Sequence, residues 1–180
     1  NILVSIPGGY AKLHKTKLDW GFWTAPQQHV NNRQLYIPRG KVLGGCSSTN
    51  AMAYVRGNAE DYNRWEALGN KGWSYKEILP YFKKSEHHEK FNDNYHGKKG
   101  ELNVSFSRHP NPLSAVFLKA CAENGIPYNE DYNGESQPGA SFLQFTIKNN
   151  KRHSTVDAFL KPALHRKNLT VRTKLLVKKI

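Results

Sequence analysis

A chain of 180 residues carries 27 Lys and Arg against 14 Asp and Glu, a formal net charge of +13, with 38% hydrophobic residues. That length supports one or two domains with a real core. The charge admits a nucleic-acid or anionic-surface partner, yet the basic residues are scattered through every segment and no DNA- or RNA-binding signature accompanies them. The two cysteines, Cys46 and Cys121, stand far apart and outside any metal-ligand spacing, which argues against a disulfide scaffold and for a reducing compartment. No apolar run approaches the roughly 20 residues that span a bilayer.

Residues 1–37 read as loops and short elements. Pro7-Gly8-Gly9 is a turn signal, Trp20 to Thr24 is strand-like, and Asn31-Asn32 suits a hairpin turn before a short strand at Leu35-Tyr36-Ile37. Ser47, Ser48 and Thr49 can each cap a helix, which predicts a short helix over 49–56 closed by Gly57. Tyr62, Trp65 and Leu68 recur at helical spacing and predict a helix from Asn58 to Leu68, stopped by Gly69. Ser74 with Glu77 forms a capping box for a third helix, in which Pro80 invites a kink or an early stop.

Residues 86–101 are polar and predict an exposed loop. Leu102 to Phe106 alternates as a half-buried strand does. Pro112 to Asn124 predicts an amphipathic helix with Leu113, Val116, Phe117 and Ala120 as its stripe, ended by Gly125. Residues 126–141 read as a loop and Phe142 to Ile147 as a strand. Ser154 caps a helix to Leu164 that Pro162 shortens. Leu169 to Thr173 and Leu175 to Val177 read as closing strands. The mixture gives an α/β or α+β class.

Several side chains invite chemistry. Arg39, Lys41 and Arg56 could meet phosphate or simply face solvent. Trp65, Trp73, Tyr81 and Phe82 suit a core. Glu86-His87-His88-Glu89 raises a metal reading, but adjacent helix positions share no face and the spacing is not HExxH, so a solvated helix end is expected and no metal. His96 and His153 show no partner in the sequence.

The densest signal is Pro38-Arg39-Gly40-Lys41-Val42-Leu43-Gly44-Gly45-Cys46-Ser47-Ser48-Thr49-Asn50-Ala51-Met52, continued by Tyr54-Val55-Arg56-Gly57, Gly72-Trp73 and Leu79-Pro80-Tyr81-Phe82. Paired glycines let backbone approach a ligand, and hydroxyl caps at a helix start make an anion site, so the loop reads as a phosphate cradle.

That run resembles the first signature of the glucose-methanol-choline family of flavin oxidoreductases, in its choline-dehydrogenase-like branch. The resemblance implies an FAD-binding, Rossmann-like domain interwoven with substrate-domain segments, without a clean boundary, and with about 86–165 contributing to the substrate domain. It implies oxidation of a choline-like or other primary alcohol to a carbonyl, with an electron acceptor that the residues do not specify. A basic, non-enzymatic binding module is the alternative. The resemblance carries flavin contacts onto Gly44, Gly45, Cys46, Asn50, Ala51, Met52 and Ala53, and a backbone contact with the adenine end onto Val177. Most relatives have Ser at Cys46. Choline oxidases have a flavin-linked His where this chain has Thr49, so FAD is expected to be non-covalent. Arg152-His153-Ser154-Thr155 is similar to a family segment written Arg-x-Ser-Thr and is expected to position chain. The resemblance also implies a piece of a longer protein, with the GxGxxG fingerprint upstream and the catalytic His beyond Ile180. The expected setting is cytoplasmic or membrane-peripheral.

Overall fold

The computed structural model describes residues 1–179; Ile180 lies outside them. A short helix α1 (Ile2–Ser5) and a 3₁₀ stretch at Pro7–Leu13 open the chain. Strands β1 (Phe22–Trp23) and β2 (Tyr36–Ile37) pair antiparallel. Their hairpin turns at Asn31 and Asn32, both left-handed with φ 59° and 54°, a conformation that Asn tolerates better than most residues.

Helix α2 (Ala59–Ala67) starts where Asn58 accepts from Glu60 N at 2.9 Å. Helix α3 (Tyr75–Ser85) starts where Ser74 N and Oγ donate to the Glu77 carboxylate, as the capping box predicts. It runs through Pro80 to Ser85; Pro80 sits at the end of the helix's second turn and does not stop it. Tyr62, Trp65 and Trp73 meet edge to face between α2 and α3. They are not a closed core: Trp65, Trp73 and Tyr81 remain exposed around an open cleft of about 710 Å³.

The central sheet has the order β3-β4-β5, with β3 (Glu86–His88) parallel to β4 (Leu102–Phe106) and β4 antiparallel to β5 (Gln144–Phe145). Asn103, Val104 and Ser105 are buried in succession, so β4 is covered on both faces. Helix α4 (Pro112–Glu123) follows, capped by Asn111 and with Pro112 in its first turn, a position where the missing N–H costs nothing. Strands β6 (Ile147–Lys148) and β7 (Lys151–Arg152) form a tight hairpin through left-handed Asn149 and Asn150. The chain then enters a π-turn at Val156–Leu160 and a short helix α5 (Lys161–Ala163). No helix among the described residues is long and apolar enough to cross a membrane.

Five expectations are overturned. Residues 49–56 form no helix: a 3₁₀ turn at Gly45–Ser48 replaces it, and the chain then continues outside any helix through left-handed Met52. Asn50 Oδ1 captures Met52 N at 3.0 Å, which competes with helical hydrogen bonding as Asn side chains do. Residues 86–88 are not a solvated end: Glu86 and His88 are fully buried. The strand over 142–147 breaks at Thr146, whose N–H turns to Met52 O at 2.9 Å. Residues 169–177 form no strand and find no ladder partner among the described residues, and Lys174 within them is left-handed at φ 58°. The stripe on α4 also faces outward, with Leu113 72%, Val116 62% and Phe117 66% exposed. The helix buries Leu118 instead.

Candidate cofactor-binding site

The glycine turn is built by close backbone packing. A Cβ on Gly40 would lie 2.3 Å from Gly45 O, so only glycine lets the two segments touch. Gly44 and Gly45 are left-handed, with φ 83° and 52°, and above Gly45 a Cβ would meet nothing within 4 Å. One side of the turn is thus sealed by Gly40 and the other lies open. Cys46 is exposed and its Sγ accepts from Gly40 N at 3.4 Å, a contact that a Ser hydroxyl could equally make. Ser47 and Ser48 do not face a ligand: their hydroxyls donate to Gly44 O and Leu43 O, both at 2.7 Å.

From the turn the chain passes through Asn50, Ala51, Met52 and Ala53. Met52 is the pivot. It is 4% exposed and left-handed at φ 62°, a conformation that costs a residue with a Cβ roughly 1–2 kcal/mol. Asn50 Oδ1 holds its N–H, and Thr146 N donates to its carbonyl. Burying Met52 turns Asn50, Ala51 and Ala53 outward, and all three are exposed. Ala53 faces Phe145 in a bridge flanked by Tyr54 N donating to Gln144 O and Thr146 N donating to Met52 O. In such a narrow pair the residue's own N–H and C=O aim away from the partner strand. Neither Ala51 N nor Ala53 N has an acceptor among the described residues.

The Arg-x-Ser-Thr segment clasps this turn from beneath. Arg152 Nε donates to Val4 O at 2.8 Å, and its Nη1 donates to Ser47 O at 3.0 Å and to Asn50 Oδ1 at 2.8 Å. Thr155 N donates to Ser47 Oγ at 3.1 Å. Asp157 accepts from Ser154 N and Oγ. His153 Nδ1 accepts from Asn103 N at 3.1 Å, and burial lowers its pKa first of all. It is neutral scaffolding.

A second polar layer fixes the far end of the rim. Arg56 turns inward, not toward phosphate or water: it is 4% exposed, and its Nη2 pairs with Glu86 Oε2 at 2.9 Å. Glu86 also accepts from Gly97 N and from His96 Nδ1. His96 Nε2 donates to Asp131 at 2.8 Å. Burial opposes charge on His96, yet its hydrogen bonds to Asp131 and Glu86 push its pKa up to about 9. Asn133 ties the layer to the rim: it accepts from Arg56 N, and its amide donates to Tyr54 O and Gln144 Oε1. Asp93, His96 and Asp131 offer ligand atoms within 4.8 Å of one another. Both His96 nitrogens, however, already face carboxylates, Nδ1 to Glu86 and Nε2 to Asp131.

The sequence-derived residues Gly44, Gly45, Cys46, Asn50, Ala51, Met52 and Ala53 therefore lie along one continuous turn and rim. Val177 is 72% exposed, and no hydrogen bond or strand pairing joins it to that rim among the described residues. Arg39 donates to Pro38 O and Lys41 lies 4.5 Å over the Trp20 ring; neither points into the turn's hydrogen bonds. Sequence reasoning placed Arg152 in a segment expected to position chain without tying it to this turn, and it missed Asn133. The Arg-x-Ser-Thr segment was the available signal for Arg152; Asn133 carried none.

A family model described as GMC oxidoreductase matches residues 7–180. The alcohol dehydrogenase (acceptor) of Pseudomonas putida is 48% identical over 175 residues, covering 96% of this chain and 32% of that protein. The oxygen-dependent choline dehydrogenase of Rhizobium etli is 45% identical over 153 residues, covering 85% of this chain and 28% of that protein. The crystal structure of pyridoxine 4-oxidase from Mesorbium loti superposes with a TM-score of 0.91 at 31% identity, covering 96% of this chain and 35% of that one. The chain thus spans about a third of the length of the relatives it matches. A match over nearly all of these residues, which include the glycine turn and the rim, makes the chain a member of the GMC oxidoreductase family.

Proposed function

We propose that the complete polypeptide is an FAD-dependent oxidoreductase that converts a small alcohol, choline-like or another primary alcohol, to its carbonyl. This chain supplies part of the FAD site. The observation that carries the reading is the rim at 50–53. Its exposed residues are small, its backbone donors at Ala51 and Ala53 are unspent, and it continues from a turn with open space above Gly45. Those features fit a flat, anionic dinucleotide. Gly44, Gly45 and Cys46 would approach the pyrophosphate through backbone, Asn50 to Ala53 would follow the run toward the ring, and Val177 would meet the adenine end.

When bound, FAD supplies the two-electron acceptor for alcohol oxidation. The chain's own residues bind and orient: Gly45 admits close approach, and the Ala51 and Ala53 N–H groups donate. Thr49 is buried and has no ring nitrogen, so the cofactor is held without a covalent link, and acid precipitation leaves the yellow colour in the supernatant. His88, His96 and His153 are spent inside the core, so we assign none of them as the base. The sheet and helix within 86–165 are read as part of the substrate domain. The free cysteines, with Cys46 exposed, support a cytoplasmic or membrane-peripheral setting.

The test is an anaerobic absorbance spectrum of the complete polypeptide, before and after adding choline and other primary alcohols. A flavin spectrum that bleaches is expected, and the bleaching alcohol identifies the substrate class. A colourless protein that refuses added FAD would overturn the reading.

A further inference from the structure

Arg152 is energetically out of place. Its side chain is buried, only 4% of the residue being exposed, and burial lowers its pKa. Yet no carboxylate accepts a hydrogen bond from it. Its acceptors are the carbonyls of Val4 and Ser47 and the Asn50 amide oxygen, and Nη2 has no partner among the described residues. A buried guanidinium without a counter-ion bonded to it costs stability. Such departures concentrate where a side chain serves a site and not the fold alone.

Asn50 shows what the arrangement achieves. An Asn amide can rotate to present either its oxygen or its nitrogen. Here Oδ1 accepts from both Arg152 Nη1 at 2.8 Å and Met52 N at 3.0 Å. Both of those donors can only donate, so the flipped amide would set N–H against N–H at both contacts. The amide orientation is therefore fixed, and the exposed Nδ2 has no acceptor among the described residues. The same Nη1 also holds the Ser47 carbonyl, which fixes the turn that precedes Asn50.

We propose that Arg152 is a positioning residue for the cofactor: it locks the Asn50 amide so that its NH₂ is the donor the rim presents to FAD. This rests on the flavin reading above. The acceptor it recognises is a carbonyl or phosphate oxygen of the dinucleotide.

The experiment is a double-mutant cycle in the complete polypeptide. FAD dissociation constants are read by titrating apoprotein, and apoprotein thermal midpoints are read alongside. Asn50→Ala removes the donor, and Arg152→Met removes the side-chain anchor of the amide together with the clasp on Ser47 O, leaving only Met52 N to orient it; each is expected to weaken FAD binding about tenfold, the worth of one hydrogen bond. The double variant is expected to be no weaker than the worse single variant. Losses that multiply to about a hundredfold would overturn the proposal, as would an Arg152→Met that binds FAD normally. Asn50→Asp keeps the proposal falsifiable if Arg152→Met does not fold. The carboxylate pairs with Arg152 and raises the thermal midpoint, while the lost donor weakens FAD binding. A raised midpoint with unchanged FAD affinity would assign the pair to the fold alone. Wild-type apoprotein that takes up no FAD would overturn the flavin reading, and this proposal with it.

Discussion

His96 sets one positive charge between two carboxylates, donating one N–H to each, and the rim depends on it. Replacing it with Ala would leave Glu86 facing Asp131 without the charge between them. Removing one partner of a buried ionic set costs about 3–5 kcal/mol. His96→Ala should therefore lower the denaturation midpoint of the complete polypeptide sharply, and His96→Gln, which can still donate one bond, should lower it less. The pH dependence has a definite sign. His96 is raised from 6.5 to about 9, so its contribution is complete below 6.5 and is lost as pH rises toward 9. Burial pushes His88 down to about 4, so below 6.5 the unfolded chain takes up a proton that the fold refuses, and stability falls again. Despite burial, the bonds from His96 hold Glu86 and Asp131 below their ordinary values, which adds acid sensitivity in the same direction. Thermal midpoints measured across pH should peak near 6.5; a midpoint still rising at pH 9 would contradict the protonated assignment of His96. None of this layer was legible in the sequence. Glu86, His88 and His96 follow a lysine-rich helix end and look solvated, because their partners Arg56, Asp131 and Gln144 arrive from distant segments.

Among the elements, what is local was legible and what needs a distant partner was not. Helix α3 was readable from its Ser74–Glu77 capping box, and α2 and α4 from helical apolar spacing and the glycines that follow them; the caps at Asn58 and Asn111 then close their ends within a few residues. The glycine turn was readable as a tight turn, but not as a 3₁₀ turn followed by non-helical chain. Two contacts decide that outcome: Met52 O with Thr146 N and Tyr54 N with Gln144 O. Likewise, 169–177 has strand composition without a strand to pair with among the described residues, and Pro162 was read as shortening a helix when it accompanies a π-turn. There Lys161 N reaches back to Val156 O, since Pro162 cannot donate to the preceding turn. The rim's dependence on remote residues can be measured. Asn133→Ala would strand Arg56 N and Gln144 Oε1 inside the molecule. At about 1–3 kcal/mol for each buried group left unsatisfied, it should destabilise the protein by at least about 2 kcal/mol in denaturant titration. It should also weaken FAD retention, although Asn133 itself lies behind the rim.

At the scale of the whole molecule, the buried residues include many polar ones, and the apolar faces of two helical regions lie open. Leu113, Val116 and Phe117 on α4, with Leu68 and Tyr81 beside the aromatic cluster, are each more than 60% exposed. Open apolar area on this scale binds hydrophobic probes and promotes association. The 180-residue chain prepared by itself should enhance 1-anilinonaphthalene-8-sulfonate fluorescence and elute from a sizing column as associated species. A monomer silent to the dye would mean these faces are closed in solution. Fold class and family were legible from helix caps, strand alternation and one long signature. The direction in which α4 turns its stripe was not, because periodicity gives a face without saying what lies opposite it.

The bond from Arg152 to Ser47 spans 105 positions of sequence, and that separation is also a delay. A ribosome adding about 5–20 residues per second delivers Arg152 roughly 5–20 s after Ser47. During that interval the nascent glycine turn has its own short-range bonds but no clasp, and Asn50 is free to rotate. Under the proposed flavin role, cofactor capture is thereby deferred: a flavin meeting the emerging chain would encounter a completed rim only after the later segment has folded back.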